Sequence, residues 1–400
     1  MPSKTVSNAS KATLLSFFIL GLGISSFLSE IPAIRDNFGY TPAQMGNLLL
    51  SAAFGAFFVL PISGSLVAKH GPRVVGFIGI TLWATGISGM LLAYHSIAGW
   101  LLICSYITAN VGAFLINASI NVEGGFVEVA AKTPRMAWYH AAFSIGTVTG
   151  ALIGVGSTKY GVHTITHLTA IMVFNVVAMF VALKFYLPPS VIKKLQDHAA
   201  AQADPNSPKP SVWDTWKEKR TLLIGVMVFG TGLMEGSASD WMSLAVVDGF
   251  EKPAWYGTMT LAIYLTALTT TRLFSPRMQG KYSPDRLLRR LIAVGLAGVA
   301  LVAFTGHYPI ALIGAVLWGI GVALGYPLSA SVLATDPLRS ASRLSVMSTI
   351  SFGSSIAGPA VIGYLAEYVG YKLALGVIII PGLISLLLTT QLREDTQTRH

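Results

Sequence analysis

Charge is the first thing this chain lacks. Lys, Arg, Asp and Glu make up 11% of its 400 residues, against about 25% in a soluble globular domain. So few charges cannot clothe a water-facing surface, which excludes a soluble protein of two or three domains. With 53% of residues hydrophobic and a mean hydropathy of +0.64, disorder, collagen and coiled-coil arrays are excluded too. Cysteine is almost absent: Cys104 has no second cysteine to pair with, and no Cys/His set stands at zinc-binding spacing. No G-x-S-x-G, H-E-x-x-H or phosphate-cradling glycine loop occurs. The sequence therefore predicts no enzyme, no metal and no cofactor. The 17 acids are outnumbered by 27 Lys and Arg. In a soluble chain that surplus would point to nucleic acid; here it fits the positive-inside bias of a membrane protein, with no nucleic-acid partner.

What the chain has is apolar sequence in long runs. Twelve of them reach the roughly 20 residues that cross a hydrocarbon core: 12–32, 45–68, 74–94, 98–121, 137–159, 164–187, 221–247, 256–275, 287–306, 309–333, 344–366 and 372–392. Their continuity excludes an outer-membrane barrel, whose strands alternate over about ten residues. The first run is long enough to span and lacks a small-residue cleavage site, so no cleaved leader is expected. With the N-terminus in the cytoplasm, Arg35, Lys159, Lys252 and Lys372 lie outside, and the other 23 of the 27 cations lie inside. The positive-inside rule selects that orientation, both termini cytoplasmic, in the inner membrane. Pro188-Pro189 closes the sixth span; Val191–Gln202 reads as a short surface helix, and Asp204-Pro-Asn-Ser-Pro-Lys-Pro as a flexible linker. The expected domains are a six-helix bundle over 1–187, a cytoplasmic linker over 188–220 and a second six-helix bundle over 221–400.

The two bundles repeat one another. Gly21 and Gly23 match Gly230 and Gly232; Pro42 and Gly46 match Pro253 and Gly257; Pro72 matches Pro284; Ala118-Ser119 matches Ala330-Ser331; Gly154 and Gly161 match Gly363 and Gly370, all at offsets of 209 to 212. Agreement of order and spacing marks a parallel internal repeat, the plan of major facilitator transporters. The loop between spans 2 and 3, Gly64-Ser-Leu66-Val-Ala-Lys69-His-Gly71-Pro-Arg73, resembles the loop signature of the major facilitator superfamily in Gly64, Lys69, Gly71 and Arg73. It departs from it at Ala68, where the family carries an acid, and at Pro72, where it carries a base. Asn121-Val-Glu123-Gly, Phe143-Ser-Ile-Gly146 and Glu235-Gly-Ser-Ala-Ser-Asp240-Trp241 resemble a bacterial inner-membrane branch related to the fucose permease group. The resemblance implies twelve helices in two pseudo-symmetric bundles, alternating access and proton-linked transport.

A carboxylate in a bilayer is expensive, about 2.5–3.5 kcal/mol on insertion scales, so each one needs a reason. Glu235 stands mid-span in span 7 with no cation on its own helix, so protonation is the expected escape and proton coupling the expected role. Its alternative is a structural acid tying span 7 to a neighbour. Glu30 in span 1 and Asp240 in span 7 occupy nearly matching repeat positions, where they face a central cavity or reach the headgroups; the fucose permease group carries an acid at a comparable place in its first helix. Asn117 and Asn121 share one face of span 4 and could bind a polar solute. Glu123, predicted to close span 4 before Gly124-Gly125, points away from them, and Glu128 falls in the following loop. His140 starts span 5 beside Trp138 and Tyr139, which read as an interfacial belt; its alternative is proton coupling, which the histidine titration range suits. Arg272 ends the apolar part of span 8 and is expected to snorkel to the cytoplasm; its alternative is to bind an anionic solute. Pro327 and Pro359 are expected to kink spans 10 and 11. Together these readings predict an all-α secondary active transporter, a monomer in the lipid bilayer, moving a small-molecule polar solute by symport with protons. A cavity lined by spans 1, 4, 5, 7, 10 and 11 would hold Glu235 and Asn117. A drug-type exporter and a sensor of the same fold are the alternatives.

Overall fold

The computed structural model describes residues 3–202, 212–335 and 339–393. Among these the chain is helical and holds no strand: α1 (Ser3–Ser29), α2 (Ile31–Phe38), α3 (Pro42–His70), α4 (Pro72–Ser96), α5 (Gly99–Ala131), α6 (Met136–Lys159), α7 (Thr164–Lys184), α8 (Pro189–Gln202), α9 (Val212–Thr215), α10 (Lys219–Gly249), α11 (Ala254–Gln279), α12 (Pro284–Phe304), α13 (Tyr308–Val322), α14 (Gly325–Leu333), α15 (Ser340–Leu375) and α16 (Ile379–Leu388). In lipid every backbone N–H and C=O must be paired inside its own segment, so apolar runs of this length fold as helices.

Ten helical stretches among the described residues are long and apolar enough to cross a membrane. The last, Ser342–Leu392, is two spans joined at Gly370, whose φ of 76° breaks α15. Span 8, α11, falls outside the ten because Thr258, Thr260, Thr266, Thr269, Thr270 and Thr271 dilute its hydropathy. Four of those hydroxyls, on Thr258, Thr260, Thr266 and Thr271, donate to carbonyls four residues back, which hides their polarity within the helix. The fold is the twelve-span architecture expected from the sequence. Residues 204–210, read as a linker, lie outside the described residues.

The chain forms two compact units, Met1–Tyr40 with Leu48–Asn206, and Thr41–Asn47 with Ser207–His400. In the first, α1 packs on α5, α6 and α7, and α4 on α5 and α7; in the second, α10 packs on α11, α15 and α16, and α12 on α13 and α16. Span 1 thus meets span 5 as span 7 meets span 11, and span 3 meets span 4 as span 9 meets span 10. The repeat reaches the backbone: Gly161 and Gly370, paired by the sequence offset, both hold left-handed conformations, at φ 67° and 76°.

One expectation is corrected here. Span 4 does not end at Gly124-Gly125: α5 runs through to Ala131, because Gly124 packs on Met136 and Tyr139 of α6 rather than terminating the helix. Pro359 lies inside α15, whose non-helical residue is Gly370. Pro327 does act as expected, and the tenth span breaks just ahead of it into α13 and α14.

Candidate functional site

In the second unit, the chemistry gathers around Glu235 on α10. Arg272 of α11 grips its carboxylate, one guanidinium nitrogen lying 2.8 Å from Oε1 and 3.0 Å from Oε2. The arginine's Nε donates to the Ala323 carbonyl at 3.0 Å. That carbonyl is free because the residue four positions on is Pro327, which has no N–H to close the helical bond. The break in the tenth span therefore supplies the acceptor that orients Arg272. This corrects two expectations: Arg272 does not snorkel away, and Glu235 does not lack a cation. Tyr264 and Ser239 both donate to the Glu235 carbonyl, at 3.2 Å and 3.1 Å, and Trp318 donates to the neighbouring Met234 carbonyl at 3.1 Å. Spans 8 and 10 thus clamp span 7 at the acid. The pair is not sealed: 34% of the Glu235 side chain and 30% of the Arg272 side chain remain exposed. Asp240, just over a turn further along α10, is half-buried and has no hydrogen-bond or ion-pair partner among the described residues.

In the first unit, Glu30 occupies the single turn between α1 and α2 and is 2% exposed. His167 Nδ1 lies 2.6 Å from its Oε1, and the Thr164 hydroxyl donates to its Oε2 at 2.6 Å. Both partners come from the first turn of α7. Glu30 and Asp240 are therefore unlike despite their matched positions, one enclosed and paired, the other half-open and unpaired.

The remaining candidates are dispersed. Asn121 donates to the Asn117 carbonyl and side chain, at 2.8 Å and 3.1 Å, so the two do share a face of α5. Glu123 is fully buried on another face; its Oε1 accepts from the Leu187 N–H at 2.7 Å, and the Arg73 guanidinium lies within electrostatic reach. Glu128, expected in a loop, belongs to α5 and caps α6 by accepting from the Arg135 and Met136 N–H groups. His140 is exposed on α6 and meets the Phe17 ring edge-on at 5.2 Å. Its neighbour Tyr139 is no interfacial residue: it is buried, with its hydroxyl 2.9 Å from that of Ser10. In the loop signature, Gly71 sits at φ 82° ahead of Pro72, and Arg73 donates to the Tyr186 carbonyl at 2.8 Å. Lys69 and Gly64 are exposed.

A family model for the Major Facilitator Superfamily matches residues 13–337. The chain belongs to the major facilitator superfamily. An uncharacterised MFS-type transporter of Yersinia pestis is 25% identical over 369 residues, covering 91% of each chain. Among solved structures, the nucleoside transporter NupG superposes with a TM-score of 0.75 at 14% identity, over 99% of this chain and 100% of its own. The E. coli fucose:proton symporter FucP superposes with a TM-score of 0.60 at 14% identity, over 96% of this chain and 98% of its own. Against that superfamily background, sequence reasoning missed His167, Thr164, Tyr264 and Trp318. Histidine inside a span was a signal, since any ionisable group there is costly; the tyrosine and tryptophan gave none, because aromatics are ordinary in apolar helices.

Proposed function

We propose that this superfamily member is a secondary active transporter that moves a small, uncharged, hydroxylated solute by alternating access, driven by proton symport. The observation that carries the reading is the half-open Glu235–Arg272 pair. Replacing a buried ion pair by apolar residues is often neutral or stabilising, so such a pair is a poor device for stability alone. Left partly uncovered, it presents charge-strengthened donors and acceptors that suit sugar or nucleoside hydroxyls. The pair neutralises itself, which favours a neutral solute over an ion. Fucose and nucleosides are what the FucP and NupG structures are described as carrying, and the fucose symporter is described as proton-linked. Glu235 is accordingly read as a solute contact, because its carboxylate is held by Arg272 and still one-third exposed.

The test uses proteoliposomes and a radiolabelled panel of sugars, polyols and nucleosides that includes L-fucose and uridine. At least one solute should accumulate above equilibrium when the lumen is made alkaline, and a protonophore should abolish the excess. Glu235→Gln should lose both that accumulation and solute counterflow, since a lost contact weakens every mode of transport. Accumulation indifferent to the pH gradient would remove the symport reading, and a Gln variant indistinguishable from the parent would remove Glu235 from the solute site.

A further inference from the structure

Glu30 ends the first span in one turn of irregular backbone, and the chain then re-enters a helix at Ile31-Pro32. Across from it, α7 begins at Thr164 and places His167 on the same face one turn later. An ionised carboxylate can only accept, so the 2.6 Å contact makes His167 Nδ1 the donor and leaves Nε2 as the ring atom at which a proton is gained or lost. Nε2 is buried and has no partner among the described residues. The hydroxyls of Ser26, one turn before Glu30 on α1, and Ser157, near the end of α6, are buried and unpartnered as well. Buried polar atoms are nearly always satisfied, so these three orphans, with the Ser25 hydroxyl on α1 and the Asn175 side-chain oxygen on α7, require an explanation.

We propose that Glu30 and His167 form a proton-binding site in the first unit, loaded at His167 Nε2, and that this site carries the proton of the transport cycle proposed above. Loading forms one N–H bond, with the proton taken from water, and breaks none within the protein. Empty, the pair holds one uncompensated negative charge; loaded, it is an imidazolium beside a carboxylate and is net neutral. A neutral pair can be closed away from water, whereas a lone buried charge cannot without large cost. That difference is what couples a proton to a conformational cycle. Toward the same end of the surrounding elements stand Arg35 and Asp36 on α2, Tyr94 and His95 on α4, Cys104 and Tyr106 on α5, Lys159 on α6 and His163 beside α7; Arg73, Glu123, Glu128, Tyr139, His140 and Lys184 lie toward the other end. None bonds to the pair: Arg35 engages Asp36, and His163 caps α7 at Ile165. The partners of Glu30 and His167 are each other and Thr164.

The test reads protonation directly, without a solute. Full-length protein with 15N-labelled histidine is reconstituted in nanodiscs, and the His167 resonances are assigned by their loss in His167→Gln. Between about pH 8 and 5, where histidine changes charge, His167 should pass from one N–H to two, and Glu30→Gln should alter its profile but not those of the other histidines. A His167 locked in one protonation state, or one indifferent to Glu30→Gln, overturns the site. If the Gln variant at 167 does not fold, Glu30→Gln alone decides, since only its histidine nearest the missing charge should respond. In proteoliposomes, with whichever of L-fucose or uridine the parent carries, His167→Gln should keep counterflow while proton-driven accumulation falls to the equilibrium level. Accumulation like the parent's overturns this inference and leaves the symport reading standing; a parent that titrates at His167 but ignores the pH gradient keeps the site and overturns its place in the cycle.

Discussion

Almost every acid inside or at the edge of a span has found a partner, and the partner comes from outside its own helix. Glu235 has Arg272, Glu30 has His167, Glu123 has the Leu187 N–H, and Asp285 has Arg393. The acids themselves are plain in the sequence, because a carboxylate stands out in apolar text. Their partners are not, since a helix repeats every 3.6 residues and says nothing about which neighbour it will face. That is why the sequence places Arg272, on the helix that follows that of Glu235, at the aqueous edge. Glu218 shows the same principle outside the membrane. It precedes α10 and takes Arg339 at 2.7 Å and Arg343 at 2.7 Å, with the Thr221 hydroxyl at 2.9 Å. Partial burial pushes its carboxyl up, but the bonds from Arg343, Thr221 and Arg339 outweigh that and hold it at about 2, below an ordinary 4.5. A depressed folded value means the cluster's contribution is complete above about pH 4.5 and drains away as pH falls toward 2. Purified protein should therefore lose thermal stability across that window. Glu218→Gln should cost about 2 kcal/mol at neutral pH and flatten the acid limb, as melting curves at stepped pH would read. A variant with the parent's stability at neutral pH and the parent's acid limb would show that the cluster holds nothing.

At the scale of elements, small residues and prolines set how the helices meet. A Cβ on Gly21 would overlap the Phe143 carbonyl, and one on Gly146 would overlap the Phe18 carbonyl, so α1 and α6 approach backbone to backbone. Gly125, in the middle of α5, has open space where its Cβ would be. The same substitution should then act in opposite directions. Gly146→Ala should destabilise by about 1–3 kcal/mol, the usual penalty of overpacking, whereas Gly125→Ala should stabilise by about 0.5–1 kcal/mol through helix propensity. Unfolding titrations in detergent would order the two, and a reversed order would mean that α1 and α6 are not in close contact. Gly146, Gly150 and Gly154 recur every four residues, so a small-residue packing face on α6 is legible in the sequence itself. The consequence of Pro327 was legible only by half: a break could be read, but not that the freed Ala323 carbonyl would hold Arg272. Gly124-Gly125 misled for the opposite reason, because Gly124 serves close packing on α6 and the helix runs on through both glycines.

Across the whole molecule, the fold was legible because it is written in quantities that survive ignorance of contacts: run lengths, a repeat offset and the sorting of cations. Loop signature residues carried the superfamily resemblance, and one of them, Arg73, makes a tie within its own unit. Arg73, the second residue of α4, is tied to the end of α7 through the Tyr186 carbonyl, and its repeat counterpart Asp285, near the start of α12, is tied to Arg393 just past the twelfth span. In each unit the third span is thus fastened to the end of the sixth helix of its own bundle, with the sign of the charge exchanged. The cation sorting makes a prediction of its own. Only Arg35, Lys159, Lys252 and Lys372 of the 27 Lys and Arg fall on one side of the spans, and insertion retains the cation-rich side in the cytoplasm. His70, exposed at the end of α3, should then face the cytoplasm, and Tyr160, 79% exposed beyond α6, should face outward. With the native Cys104 replaced by Ser, Tyr160→Cys should react in intact cells with a membrane-impermeant maleimide, and His70→Cys should react only after the cells are opened. Labelling of His70→Cys in intact cells, with Tyr160→Cys protected, would invert the protein and carry the Lys69 and Arg73 loop, together with both termini, to the other side of the membrane.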